Sequence, residues 1–292
     1  KDDNLIFSDK GHYRIRKISP DGIIQTIAGD GVRGNIGDGI PALEANLYGV
    51  STIVLNPKGE IFMVSPSGFV SVIRRIDTKG VIHDHLQTAD KRYLDAIEKS
   101  EYKGRVQTGS VAIITQFSDI VFDHKGNLYF SDRLNNQIRK MTPEGNIVNI
   151  GGTGDADHTG DGGPAVKATF RDPNALAVDK EGNLYIADSA NNRIRKIDTK
   201  GIITTFAGNS VHEDSGDGGS ALEAGIRSMD DIELSPDGEL YILGTNTHKV
   251  RKITKDGKIV TVAGKGYGGF FGDGGPATKA MLKNPSAITF DS

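Results

Sequence analysis

The line Gly-Asn-Leu-Tyr-(Phe/Ile)-(Ser/Ala)-Asp occurs twice in this chain, at Gly126 to Asp132 and at Gly182 to Asp188. Looser copies begin at Asn4, Gly59 and Gly238. The second positions of the copies, Asn4, Glu60, Asn127, Asn183 and Glu239, lie 56 residues apart, except for a step of 67 between Glu60 and Asn127. A period of that size means one supersecondary unit copied along the chain, and five copies account for nearly all 292 residues. Each unit reads as four short strands, represented by PNALAVD (Pro173 to Asp179), NLYIAD (Asn183 to Asp188), NRIRKID (Asn192 to Asp198) and IITTFAG (Ile202 to Gly208). Runs rich in Ile, Val, Leu, Phe and Tyr, cut by turns such as DKEGN, SANN and TKG, are the chemistry of an antiparallel meander.

A four-stranded sheet cannot cover both of its faces alone, so successive sheets must pack face to face. The chain opens on the second strand of a unit and closes on the first strand of one, Pro285 to Asp291. A ring explains that phase, with the C-terminal strand joining the N-terminal blade, whereas an open stack leaves exposed edges. The expected fold is all-β: one propeller domain of four-stranded antiparallel blades, five visible, with six as the structural alternative. Its units span about 1–48 with 285–292, 49–116, 117–172, 173–228 and 229–284.

Composition narrows the function. With no Cys, a disulfide scaffold, a Cys-ligated zinc module and a thiol nucleophile are excluded. Lys and Arg total 35 against 38 for Asp and Glu, a net charge of −3, which gives no electrostatic footprint for nucleic acid. No apolar run is long enough to span a membrane, and no basic-then-apolar signal opens the chain. The start at Lys1 leads us to expect that something upstream has been removed. The 38 glycines fall at recurring turn positions rather than in low-complexity tracts.

The segments NLYIADSANNRIRKID, GIITTFAG and GDGGPA together resemble the NHL-repeat propellers, in particular the long-repeat kind of bacterial envelope and secreted proteins and of the teneurin ectodomain. The resemblance implies a propeller displaying a binding surface, outside the cell or in the periplasm or envelope. The same architecture hosts some lyases and lactonases.

Two motifs recur in the units. The third strand places Arg16, Arg74, Arg139, Arg195 and Arg251 in equivalent positions, and the second strand ends in Asp9, Asp132 and Asp188. A motif present in every blade must first serve the blade, so these residues are expected to pair structurally where strands or blades meet. The linkers between fourth and first strands carry GDGIPALEANL, GDGGPAVKATF, GDGGSALEAGI and GDGGPATKAML. Their glycines suit a tight turn and the Pro a short helical start, but no phosphate-loop spacing is present. Asp155, Asp157 and Asp161 in GDADHTGDGG are weak calcium candidates outside the usual loop template. No cofactor is otherwise implied.

Binding sites on repeat proteins lie where one repeat departs from its neighbours. The stretch Gln87 to Gln116 lacks GDGGPA and contains TADKRYLDAIEKSEYK, read as a short amphipathic helix whose Tyr93 and Tyr102 are candidates for partner contact. Tyr267, Phe270 and Phe271, in a Gly-rich linker, are a second such set. The fourth-to-first linkers and second-to-third turns should share one face, gathering His12, His158, His212 and His248. On the inner strands, Ser51, Ser118, Asn174, Asp230 and Ser286 take the second position, with Asp119 and Asp231 beside two of them. These polar residues could ring the channel mouth as a ligand site.

The leading expectation is a non-enzymatic binding or structural module contacting protein or carbohydrate through the linker-rich face. The alternative is a divalent-metal-dependent lyase or lactonase built on Asp119, Asp230 and Asp231.

Overall fold

The computed structural model describes residues 4–67, 70–87 and 117–290. Twenty strands and six short 3-10 turns make up the described regular structure. The strands form five antiparallel meanders, the blades of a β-propeller. The first holds β1 (Leu5–Asp9), β2 (Arg14–Ile18) and β3 (Ile24–Ala28). The second holds β4 (Ile40–Pro41), β5 (Thr52–Leu55), β6 (Ile61–Ser67), β7 (Val70–Ile76) and β8 (Val81–Gln87), in the order β4-β8-β7-β6-β5. The third runs through β9 (Phe117–Phe122), β10 (Leu128–Asp132), β11 (Gln137–Met141) and β12 (Ile147–Gly151). The fourth runs through β13 (Pro173–Val178), β14 (Leu184–Asp188), β15 (Arg193–Ile197) and β16 (Ile203–Ala207). The fifth comprises β17 (Asp231–Leu234), β18 (Leu240–Gly244), β19 (Lys249–Ile253) and β20 (Ile259–Ala263).

The fifth strand of the second sheet explains what the linkers do. Ile40 and Pro41 pair with Ile82 and Val81, so the linker lies along the outer edge of the sheet it precedes. In the next repeats the same contact is a single bridge, Pro164 to Ile202 and Ser220 to Lys258. An outer strand would otherwise present unpaired N–H and C=O groups, and the linker covers them. It then makes a 3-10 turn, as at Ala165–Lys167, before entering the inner strand.

A second regularity is invisible in the sequence. In all five sheets the ladder between third and fourth strands slips one step at the residue before the repeated arginine: Ile15/Arg16, Ile73/Arg74, Ile138/Arg139, Ile194/Arg195 and Val250/Arg251. A bulge adds a residue to one strand and re-aims the side chains beside it.

The chain divides into two compact units, Lys1–Gly126 and Asn127–Ser292. In the first, Ile15, Ala28, Leu47, Val50, Met63 and Ile82 are buried in one core shared by the first two sheets. In the second, Ala175, Ala177 and Ala187 of the fourth sheet pack against Met229, Ile232 and Ile242 of the fifth, with linker residues Ala221, Ala224 and Ile226 closing the core. The small residues let the two sheets approach closely.

The C-terminal run differs from expectation. Residues 283–290 form no strand, and the first sheet, which this run was expected to complete, has three strands. The run instead lies beside the fifth sheet: Ile288 N–H donates to Asp231 Oδ2 at 2.8 Å, Thr245 Oγ1 donates to Pro285 C=O at 2.7 Å, and Phe290 meets Tyr241 edge-on at 4.7 Å. Ile288 matches Leu176 in the repeat, so the run takes the place beside β17 that β17 takes beside β13. Side-chain packing against the preceding sheet positions it there without a ladder.

Candidate functional site

The repeated arginines are occupied by the fold. Arg195, fully buried, donates from Nη2 to Asp161 Oδ1 at 2.7 Å and to Thr159 C=O at 3.3 Å, and from Nη1 to Thr169 C=O at 3.3 Å. Asp188 Oδ2 stands 3.6 Å from the same guanidinium. Arg251 repeats the pattern with Asp217 at 2.6 Å, Asp214 at 2.9 Å and the carbonyls of Ser215 and Gly225. Arg74 binds the carbonyls of Gly37 and Asn46 and pairs with Asp84 at 2.8 Å. Each of these three clamps the linker that leads into its own sheet. Arg139 binds Gln137 at 2.6 Å and Asp132 at 3.4 Å, and Arg16 stands 3.5 Å from Asp9.

This geometry also reassigns the acidic linker residues. Asp161 accepts from Arg195 and from Thr205 Oγ1 at 2.6 Å, Asp155 from Thr153, and Asp157 lies against His158. The carboxylate of GDGG is thus a fastener between linker and sheet. Among the described residues no group of three His, Asp or Glu side chains is placed to hold a metal ion.

The inner-strand polar residues separate into different environments. Ser51 Oγ leans on Val64 C=O at 3.4 Å, Asp119 Oδ1 accepts the Ile120 N–H, and Ser286 is exposed. Neighbouring strand residues point to opposite faces, so Asp230 and Asp231 diverge. Asp230 Oδ2 takes Thr245 N–H and Ser228 Oγ, whereas Asp231 takes the N–H of Ile288 in the C-terminal run. Asn174 and Asp230 do meet, in a cavity of about 280 Å³ on the face of second-to-third turns and linkers in the unit Asn127–Ser292.

The cavity is walled by Arg133, Asn174 and Asp230, which differ from repeat to repeat, and by Arg227, whose position holds Arg171 in the preceding repeat. Arg133 and Asp172 form a two-pronged ion pair, with Nη2 to Oδ2 at 2.9 Å. Asn174 reaches Met229 C=O at 3.4 Å, and Ser189 Oγ reaches the same carbonyl at 3.3 Å. His212 and Asn246 add two more polar walls. Arg227 also lines the cavity, and nothing among the described residues accepts from its buried Nε. Sequence reading placed Asn174, Asp230 and His212 on this face but passed over Arg133, Arg227 and Asn246. Arg227 could have been found by aligning FRDPN with IRSMD, which sets it at the position of exposed Arg171.

Of the aromatic candidates, Tyr267, Phe270 and Phe271 are all exposed, Phe270 to 89 %. Tyr93 and Tyr102 lie outside the described residues.

Glu233 is a further residue not singled out by sequence reading. It shares a strand face with Asp231, at the position where the preceding repeat has Ala177. Burial pushes its carboxyl up to about 7, helped by the Asp231 charge, and burial pushes Asp231 itself up to about 6. A carboxyl whose folded pKa is raised favours the folded state below its unfolded pKa, and that contribution disappears as pH rises through about 7. Glu233→Gln should therefore gain about 1–2 kcal/mol over the parent at pH 8 and little at pH 5, read by denaturant titration at both pH values.

Comparison with known proteins agrees with the architecture. Residues 151–215 match the family model of the teneurin NHL domain. The chain is 29 % identical over 237 residues to mouse Teneurin-4, covering 75 % of this chain and 8 % of that protein. It spans less than a tenth of the length of the curated relatives it matches. An auxiliary nutrient binding protein from Bacteroides thetaiotaomicron superposes with a TM-score of 0.64 at 13 % identity, covering 99 % of this chain and 61 % of that chain. Virginiamycin B lyase from Staphylococcus aureus superposes with a TM-score of 0.51 at 15 % identity, covering 89 % and 66 %. At such identities these two likenesses speak for the fold alone. The repeated strand motif, the arginine-clamped linkers and the match to teneurins together set this chain beside the NHL-repeat β-propellers of the long-repeat, teneurin-like kind, to which it is similar.

Proposed function

We propose that this chain is a non-enzymatic interaction module of an extracellular protein, binding protein or carbohydrate through the linker-and-turn face of the unit Asn127–Ser292. One observation carries the reading. The polar residues shared by the repeats are spent on clamps, whereas Asn174 and Asp230 stand at an inner-strand position that varies between repeats and meet in one cavity with Arg227. Variation on a fixed scaffold is how repeat proteins make a specific surface. Resemblance to teneurins supports an extracellular setting and a protein-contact role for the module.

The test is a binding screen against arrayed extracellular ectodomains and glycans, run in parallel on the parent chain and on an Arg227→Glu, Asp230→Lys variant. Saturable binding by the parent, weakened about tenfold or more in the variant at unchanged melting temperature, is the expected result. Binding that survives both substitutions would place the contact elsewhere and overturn the proposal.

A further inference from the structure

The cavity has an uneven charge economy. The Arg133 guanidinium is neutralised by Asp172 through two contacts, and Asp230 Oδ2 is satisfied by Thr245 and Ser228. Arg227 has no ion pair and no hydrogen bond among the described residues, and its Nε is buried. A guanidinium that lines a cavity without an ion pair offers its planar fork to an incoming group, and that fork matches the two oxygens of a carboxylate.

Around that cation stand groups suited to hydroxyls. Asp230 Oδ1 has no partner among the described residues. The Asn246 side chain is likewise unengaged, its backbone N–H alone being used, by Ser228 Oγ. His212 Nδ1 lies 3.1 Å from Asn192 Oδ1, and no contact engages Nε2 among the described residues, so the ring offers a second nitrogen to a hydroxyl. At about 280 Å³ the cavity falls just below the usual range for drug-sized ligands and holds one small polar ring.

From this we infer that the cavity binds an acidic monosaccharide, a uronate, with its carboxylate on Arg227 and its hydroxyls on Asp230, Asn246 and His212. The inference deepens the interaction-module reading and rests on it. An acidic peptide is the rival occupant. It would bring a carboxylate but no hydroxyls, and so would set its charge against the free oxygen of Asp230 with nothing returned.

Asp230→Asn relieves the same repulsion for every carboxylate ligand but replaces a charged hydroxyl acceptor by a weaker neutral one, so uronate affinity should fall relative to that of acetate and the peptide. Titrate the intact chain with sodium glucuronate, sodium galacturonate, glucose, acetate and a glutamate-containing peptide at neutral pH and low salt, by calorimetry or amide chemical shift. Saturable binding of one uronate, absent for glucose and weaker for acetate, is expected. Arg227→Gln should weaken it about tenfold and Arg227→Lys should restore it only in part, each at unchanged melting temperature. No uronate binding at tens of millimolar, or a uronate affinity that does not fall relative to that of acetate and the peptide in Asp230→Asn, would overturn the uronate assignment. In that event, sensitivity of the ectodomain and glycan screen to the Arg227 and Asp230 substitutions decides whether the surface reading falls with it.

Discussion

Arg195→Met is expected to lower the melting temperature by roughly 6–20 °C, from a loss of about 3–5 kcal/mol at about 2–4 °C per kcal/mol for a chain of this size. Methionine has similar reach and keeps an apolar stem beside Phe170, whose ring centre lies 5.7 Å from the guanidinium carbon. The substitution therefore isolates the polar contribution. It removes the cation from between Asp161 and fully buried Asp188, whose remaining donors are the neutral Arg171 N–H and Asn191 amide, and it takes the guanidinium away from the Thr169 carbonyl. Breaking one side of a buried ion pair costs more than the pair contributes, because the remaining charge has lost its partner. Circular dichroism melts of the two proteins measure the effect. A melting temperature unchanged by the substitution would mean that the arginine serves a ligand rather than the blade.

A comparable loss should follow from Gly208→Ala. The glycine has φ of +95°, and a Cβ there would stand 2.3 Å from the Asn192 carbonyl oxygen and 2.9 Å from the Arg193 Cα. Neither is the end of a flexible side chain, so the backbone itself must shift. We expect about 2–4 kcal/mol, the sum of left-handed strain and overpacking. Gly201→Ala supplies the control: its φ is +78°, but nothing lies within 4 Å of the added carbon. It should cost about 1–2 kcal/mol, the backbone strain alone. Urea titrations of the two variants measure the difference, and equal losses would contradict the close approach at Gly208. Gly29, Gly152 and Gly264 meet the carbonyls of Tyr13, Asn136 and His248 in the same way.

Much of this architecture was readable because it repeats. Strand positions, turn glycines and the pairing of Arg195 with Asp188 follow from laying units over one another, which averages away what is peculiar to each. The same averaging hides the cavity. Arg133, Asn174, His212, Arg227 and Asn246 come from five separate segments, and no spacing along the chain announces that they face one another. The role of Asp161 escaped for a related reason. An acidic residue in a glycine-rich turn suggests a cation, and spacing along the chain gives no sign that Asp161 accepts from Arg195, 34 residues on. The C-terminal run carries the residue pattern of an inner strand, yet it forms no ladder, and pattern alone could not say that side-chain contacts to the fifth sheet would hold it. Glu233 was passed over because attention went to the polar second position of each inner strand rather than to the departure from alanine three residues later.

Because Arg74, Arg195 and Arg251 fasten the linker ahead of their own sheet, the segment that can be copied or lost intact in evolution is a leading linker with the sheet that follows it. Residues 152–207 form such a cassette, with the Asp161 latch at one end and its Arg195 keeper near the other. A duplication cut instead just after the linker would part latch from keeper and deliver two incomplete halves. Gene rearrangements that lengthen or shorten proteins of this kind should therefore have junctions at the fourth strand's end, where one keeper has closed and the next latch has yet to begin.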